Sequence, residues 1–320
     1  MKSQRIGGIV LCAGFGTRLQ PITHEIPKPA IPFLGKPMVW YAVRALYRAG
    51  IRRIAANLCH LPDTMEQCLR QVCAEIGTDE PVCYREGTTI AGTAGGAAAC
   101  AKLLPDCDQF VIYHGDVLSG ADLSIALDEH RRSQCDVSLV VAPRPENSPL
   151  GLIETCQRQI VRIRDWCIPD DQIDPNAAHE ARCFTGIHIV QRQVLDPIDP
   201  NRYTCLVTEV YPQMMASGKR IHAIYDERFF ADIGTPNSYL DAQSAILAHP
   251  ILLPGARLIQ PSADDHSIDD VAFTPPIYVD ASCHCKHAHI GPNVVLSHHA
   301  RVEREILSDC ARFEKWTISR

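Results

Sequence analysis

The chain has no apolar run approaching the roughly 20 residues that a membrane-crossing helix needs, so no membrane span is expected. It has no basic run and no aromatic-basic stripe, and its net charge over 320 residues is −6; a general nucleic-acid surface is thereby excluded. No cleavable leader is visible, so a cytoplasmic location is expected. The 15 cysteines are scattered and form no pair of CxxC motifs, so a disulfide framework is not expected and most should be reduced. Cys12, Cys59, Cys100 and Cys205 stand in apolar or small-residue surroundings, where cysteine behaves as a small hydrophobe. What is present is an ordinary globular composition, 46% hydrophobic and 21% charged. It suits one large domain plus a smaller one.

The most informative stretch is Leu11 to Thr23, followed by Pro27-Lys28-Pro29. Ile9-Val10-Leu11 reads as a short buried strand, and Gly14 and Gly16 after it can adopt positive φ and turn amide N–H groups toward an anion. Arg18 offers a planar fork and Lys28 a mobile point charge, so the pair suits a polyphosphate. Two better-known loops are ruled out. A Walker-type loop would need Gly-Lys-Ser/Thr where Gly16 is followed by Thr17-Arg18, and a dinucleotide fingerprint would need glycine where Leu19 stands. A lipoprotein signal ending at Cys12 is also excluded, because the preceding apolar run is too short.

Strand and helix patterns alternate through the first 245 or so residues. Pro37 to Ala49 reads as a helix with Gly50 just past its end, Arg53 to Asn57 as a strand, Asp63 to Ala74 as a helix with Asp63 as its N-cap, and Gly95 to Leu104 as a small-residue helix. This alternation implies an α/β, Rossmann-like, mostly parallel sheet covered by helices on both faces. Phe110 to Tyr113 is a strand that ends at His114-Gly115-Asp116, and Phe229 to Ala231 runs into Asp232. Carboxylates at strand ends stand where α/β sheets hold ligands, and two such oxygen donors suit Mg²⁺.

Several motifs in order resemble the sugar-1-phosphate nucleotidyltransferases, whose N-terminal pattern is AGxGTRLxPxT followed by PKP. Ala13 to Thr23 and Pro27 to Pro29 match it, and Gly35 to Met38, Gly92 to Gly95, Gly115-Asp116, Phe184 to Ile187 and Asp232 to Pro236 continue it. The likeness is strongest to the mannose-1-phosphate guanylyltransferase-like branch with a short hexapeptide-repeat tail. It implies that a sugar 1-phosphate oxygen attacks the α-phosphorus of a nucleoside triphosphate and releases pyrophosphate, with no enzyme nucleophile. By the same resemblance Arg18 stabilises the pyrophosphate and Lys28 holds the nucleotide's phosphates. Leu11, Ala13, Gly14, Gly16, Thr17 and Gly92 contact the nucleotide, Asp116 and Asp232 bind Mg²⁺, and Gly151, Glu154, Thr185 and Gly186 line the sugar site. Gly92 and Gly95 would let backbone approach a planar base. Because the net charge is negative, local cations at Arg18, Lys28 and Lys36 must draw in the anionic substrates.

One departure stands out. Relatives carry Glu-Lys-Pro where this chain has Val161 to Cys167, with Trp166 and no lysine. Either Arg162 or Arg164 holds the sugar phosphate instead, or the sugar is bound differently. The departure leaves a noncatalytic nucleotide-sugar sensor as an alternative, against which stand Arg18, Lys28, Asp116 and Asp232; a pure assembly scaffold would explain none of them. Base and sugar lean towards GTP with mannose 1-phosphate or a heptose 1-phosphate. UTP or dTTP with another sugar phosphate, such as N-acetylmuramate 1-phosphate, is the runner-up.

Three segments are expected: a catalytic domain over 1–248, a Pro- and Asp-rich linker arm over 249–276, and a tail over 277–320. Tyr278, His284, Ile290, Leu296 and Val302 recur every six residues, with small or apolar Ser282, Ala288, Val294, Ala300 and Ile306 four places after each. That period matches a left-handed β-helix of fewer than two coils, a stub that must pack on the main domain or on a second subunit as a homo-oligomer. Cys283 to His289 resembles a metal cluster, but neighbouring ligands on one strand cannot all reach a tetrahedral ion, so surface repeats of variable residues are the expected reading.

Overall fold

The computed structural model describes residues 5–144, 151–169, 177–253, 268–273, 277–279, 283–290, 293–297, 299–303, 305–307, 310–313 and 315–319. The first half contains β1 (Ile6–Leu11), the small hairpin β2 and β3 (Pro32–Phe33, Lys36–Pro37), α1 (Met38–Arg48), β4 (Ile54–Leu58), α2 (Pro62–Ile76), β5 (Val82–Arg85) and α3 (Gly92–Leu103). Next come β6 (Gln109–His114), β7 (Val117–Ser119), α4 (Leu123–Ser133), β8 (Val137–Pro143), β9 (Leu152–Cys156), β10 (Gln159–Ile163) and β11 (Trp166–Cys167). After these follow β12 (His179–Gln191), α5 (Arg192–Leu195), α6 (Tyr211–Ala216), β13 (Ile221–Tyr225), β14 (Phe230–Asp232) and α7 (Pro236–Ala248).

Ten strands form one sheet, in the order β11-β10-β13-β8-β12-β6-β1-β4-β5, with β9 joined to β10 and β12. It is mixed rather than mostly parallel. The run β6-β1-β4-β5 and the pair β8-β13 are parallel, while β12 is antiparallel to β6, β8 and β9, and β10 is antiparallel to β9, β11 and β13. Alternate residues of each central strand enter opposite cores: Val10, Val111 and Tyr113 join α1, α2, α4 and α7 on one face, and Ile9, Phe110 and Ile112 join α3, α5 and α6 on the other.

Helix ends largely follow the local signals. Pro37 precedes α1, and Gly50 follows it at φ +82°. In α2, however, the N-cap is Leu61, and Asp63 lies inside the first turn, where it pairs with Arg85 at 2.7 Å. The helix begins one residue earlier than expected because Pro62 suits its first position. No helix among the described residues is long and apolar enough to cross a membrane.

Most of the arm expected over 249–276 lies outside the described residues, as do Ser282 and the side chains of His287, His289 and Ile306. The tail comprises β15 (Ile268–Phe273), β16 (Ile277–Val279), β17 (His284–Ile290), β18 (Val294–Ser297), β19 (Arg301–Glu303), β20 (Ile306–Leu307), β21 (Cys310–Phe313) and β22 (Trp316–Ser319). Its strands pair in parallel with partners about three hexads later, Ile277 with Val294 and His284 with Arg301, until β22 turns back antiparallel on β21. Ile290, Leu296 and Val302 are buried as the period demands, but His284 is exposed. Cys283 and Cys285 point inward and pack with Ala288, Ile290 and Val294, so they are core residues rather than surface ones. No metal-binding group of three or more His, Cys, Asp or Glu occurs among the described residues.

The tail docks on its own main domain. Tyr278, Val295, Ala311, Phe313 and Ile318 share one core with α1 and α7, and Gln243 Nε2 of α7 donates to the carbonyls of Asn293 and Cys310 at 2.7 and 3.1 Å. That docking buries the faces a short stub would otherwise expose.

Candidate active site

β1 lies between β4 and β6, and the register sets Leu11 opposite both Asn57 and His114. Three strands therefore end side by side, and the chain changes direction across the sheet here, after placing β4 and β5 on one side of β1 and β6 on the other. Such a switch point opens a crevice at the strands' carboxyl ends. Two cavities occupy it. The first, of about 330 Å³, is lined by Leu11, Ala13, Gly14, Lys28, Asn57, Gly92, Thr93, His114, Asp116 and Tyr203, among others. The second, of about 580 Å³, is lined by Arg18, Gly151, Arg164, Phe184, Thr185, Gly186, Thr208 and Asp232, and shares His114, Thr93, Tyr203 and Cys205 with the first.

Gly14 and Gly16 have different tasks. A Cβ on Gly14 would meet nothing within 4 Å, so the loop is open to a ligand there. Gly16 lines neither cavity; it takes the left-handed conformation, φ +63°, that starts the short turn Thr17–Leu19 and so orients Arg18. The Arg18 guanidinium lies across Gly234, at the start of the loop that leads to α7. Thr17 is exposed and outside both cavities.

Lys28 is buried and forms an ion pair with Asp116. Asp232 ends β14, which pairs with β7 immediately after Asp116, so the two carboxylates come from one small antiparallel ribbon rather than from the main sheet. Burial works against ionisation of Asp116, yet the adjacent Lys28, by its charge and its hydrogen bond, holds this carboxyl below the usual range. Asp232 is pushed the other way, first by burial and then by the charge of Asp116. Lys28 and, more weakly, Arg18 pull Asp232 back down, but burial and Asp116 outweigh them. Two hard oxygen donors brought this close, with Lys28 committed to Asp116, fit a divalent cation that completes its shell with water and phosphate oxygens.

Glycines in the 92–95 segment make room for protein. Gly92 has φ +76°, and a Cβ there would lie 2.4 Å from the carbonyl oxygen of Thr204; Ala94 N–H donates to that carbonyl at 2.9 Å. The loop carrying Tyr203 and Cys205 is thereby held against α3, and both side chains line both cavities. Asn57 is locked behind the first cavity: its Oδ1 accepts from Cys12 N–H at 3.0 Å, and its Nδ2 donates to Glu86 at 2.8 Å.

Other expectations separate. Gly151, Thr185 and Gly186 line the second cavity, but the Thr185 hydroxyl is committed to the carbonyl of Val140 at 2.7 Å. Glu154 lies outside both cavities and is paired with Arg162 at 3.1 Å. Lys36 is also elsewhere; it pairs with Glu75 at 2.6 Å and stacks on Trp40. Of Arg162 and Arg164, it is Arg164 that reaches the second cavity, beside Gly151. His114, Asn57, Tyr203 and Cys205 were not singled out as site residues from the sequence. Strand register alone could have found the first two, since both lie level with Leu11.

Residues 7–249 match the family described as Nucleotidyl transferase. The chain is 27% identical over 332 residues to the mannose-1-phosphate guanylyltransferase of Mycobacterium tuberculosis, covering 98% of this chain and 83% of that protein. It is 24% identical over 330 residues to the UTP–glucose-1-phosphate uridylyltransferase of Synechocystis, covering 95% and 83%. In fold it is similar to HddC from Yersinia pseudotuberculosis, with a TM-score of 0.59 and 18% identity over 74% of this chain and 97% of that one.

Proposed function

Because the chain belongs to the nucleotidyl transferase family, we propose that it transfers a nucleotidyl group from a nucleoside triphosphate to a sugar 1-phosphate, giving an NDP-sugar and pyrophosphate. The observation that carries this reading is the Lys28, Asp116 and Asp232 cluster where two cavities meet. One cavity serves the triphosphate and the other the sugar phosphate. GTP with mannose 1-phosphate is the favoured pair, in keeping with the guanylyltransferase relatives from Mycobacterium tuberculosis and Schizosaccharomyces pombe. The uridylyltransferase of Synechocystis keeps UTP as the second reading.

In this reaction a phosphate oxygen of the sugar substrate bonds to the α-phosphorus as the bridge to the β-phosphate breaks, and pyrophosphate leaves with the electron pair. The protein's task is to hold two anions in line and to meet the charge that develops on the leaving group. Gly14 and Ala13 present the open loop to the triphosphate, Lys28 contacts its phosphates, and Arg18 meets the pyrophosphate. Asp116 and Asp232 would hold Mg²⁺, which when bound neutralises phosphate charge. Arg164 is proposed to take the place of the missing lysine, because Arg162 is already paired with Glu154. Residues 1–248 form the catalytic domain in this reading, and the ladders beyond 277 are the start of a left-handed β-helix.

Pyrophosphate release with Mg²⁺, measured for GTP, UTP, dTTP, ATP and CTP against a panel of sugar 1-phosphates, tests the proposal. Sugar-dependent release that disappears in Asp116→Ala supports it. Nucleotide binding without release from any pair refutes it in favour of a sensor.

A further inference from the structure

His114 closes β6 and lines both cavities, yet neither the glycine loop nor the carboxylate pair accounts for it. Behind it His188 of β12 is fully buried, with Nε2 3.4 Å from His114 Nε2 and Nδ1 2.7 Å from the hydroxyl of Tyr211. Tyr211 opens α6 and is fully buried too. Three polar side chains from three elements therefore form one line from the core to the partition between the cavities. The backbone is shaped around it. β12 shifts register between Phe184 and His188, and Gly186 within that shift has φ +79°, where a Cβ would meet His114 Cγ at 3.1 Å. Irregularities of this kind re-aim side chains beside sites. Phe184 packs edge-on against both imidazoles, at centroid distances of 6.0 and 4.6 Å.

The line has a direction. Among the described residues, the Tyr211 hydroxyl has His188 Nδ1 as its hydrogen-bond partner. Were that nitrogen protonated, the phenolic proton would be buried without an acceptor, at about 1–3 kcal/mol. Tyr211 therefore donates, neutral His188 carries its proton on Nε2 and donates to His114 Nε2, and neutral His114 holds its own proton on Nδ1.

We propose that His114 is an uncharged N–H donor to a substrate phosphate oxygen where the two cavities meet, fixed as its Nδ1–H tautomer by His188 and Tyr211. The inference rests on the nucleotidyl-transfer reading. Lys28 and Arg18 already supply positive charge there, and Asp116 and Asp232 must keep theirs for a cation. A neutral donor holds a phosphate oxygen without competing for those carboxylates. His188 and Tyr211 act through His114 and are positioning residues.

Asparagine at 114 offers an amide N–H near the place of Nδ1, whereas glutamine reaches the place of Nε2. At pH 8, where an ordinary histidine is already neutral, His114→Gln should lose on the order of 10²-fold in kcat/KM, and His114→Asn should lose at least about tenfold less. A rise in the KM of the sugar phosphate assigns the oxygen to the acceptor, and a rise in that of the triphosphate assigns it to the donor. Tyr211→Phe should move the His114 ¹⁵N resonances from the Nδ1–H pattern towards the Nε2–H pattern. Equal kinetics in the asparagine and glutamine variants would overturn the donor role, and unchanged ¹⁵N resonances in Tyr211→Phe would overturn the relay. If the unmodified protein releases no pyrophosphate with any pair, the activity reading fails instead, and the resonance measurement still decides the relay.

Discussion

Replacing Arg164 with glycine should weaken sugar-phosphate binding without weakening the fold. Arg164 and Asp165 make the two-residue connection between β10 and β11, with Ile163 paired to Trp166. Arg164 takes φ +52°, and a positive φ at the first position of such a connection favours glycine. A side chain held in this region costs on the order of 1–3 kcal/mol. Glycine relieves that strain but gives back about 0.5–1 kcal/mol through the freedom of the unfolded chain. The variant should thus be as stable as the parent or more stable by up to about 2 kcal/mol, which raises Tm by a few degrees. Loss of a charge-assisted contact to phosphate costs about 1.5–3 kcal/mol. At an exposed cavity mouth the lower value applies, about a tenfold rise in the KM of the sugar phosphate. The assay is pyrophosphate release at saturating triphosphate, run alongside denaturant melts. Arg162→Gln is the control, since Arg162 is paired with Glu154 away from the cavities, and its KM should not move. An unchanged KM in Arg164→Gly, or a loss of stability beyond about 1 kcal/mol, would refute the reasoning, because an arginine placed for structure alone would show that pattern.

Asp116→Asn keeps the shape but takes from Lys28 its ion-pair partner and from the cation one carboxylate; kcat/KM should fall on the order of 10²–10³-fold, with a raised Mg²⁺ requirement in a metal titration. Gly92→Ala would place a Cβ 2.4 Å from the Thr204 carbonyl, so the loop bearing Tyr203 must move, and the KM of both substrates should rise together with a loss of about 1–3 kcal/mol in stability. His130 is held down to about 4, mainly by burial and secondarily by His222, with Asp136 acting the other way. The unfolded chain therefore takes up this proton near pH 6.5 and the native protein only near its lower value, so stability should fall by about 3 kcal/mol as pH drops through that window. Denaturant melts at pH 7 and 4.5 measure the fall, and His130→Asn should flatten it. Gln243→Ala would strip the carbonyls of Asn293 and Cys310 of their buried donor, and limited proteolysis should cut the tail faster while pyrophosphate release is unchanged.

The segment from Ala13 to Pro29 was legible from sequence because its chemistry is local: glycine, proline and two cations have few other reasons to alternate after a buried strand. The helices α1 and α3 were legible for the same reason, within three residues at either end. Strand direction was not. β12 is apolar through its central residues in the manner of a buried parallel strand, yet it runs antiparallel between β6 and β8. Alternation and burial are identical for the two directions, and only the partner decides. The same limit hid parts of the site. Asn57 and His114 sit inside strand patterns and gain their meaning from lying level with Leu11.

Glu154 and Lys36 show the converse. Their charge suggested substrate contacts, but each is paired with a neighbouring element, to Arg162 and Glu75 respectively. A charged residue in a strand or hairpin has nearby countercharges to satisfy it, so its type says little about a ligand. Arg164 differs because its backbone conformation is unfavourable for its own residue type, and a position that would be better filled by glycine has kept a cation beside a cavity. Local strain combined with placement is thus the stronger sign of binding, and strain is the property that sequence patterns cannot display.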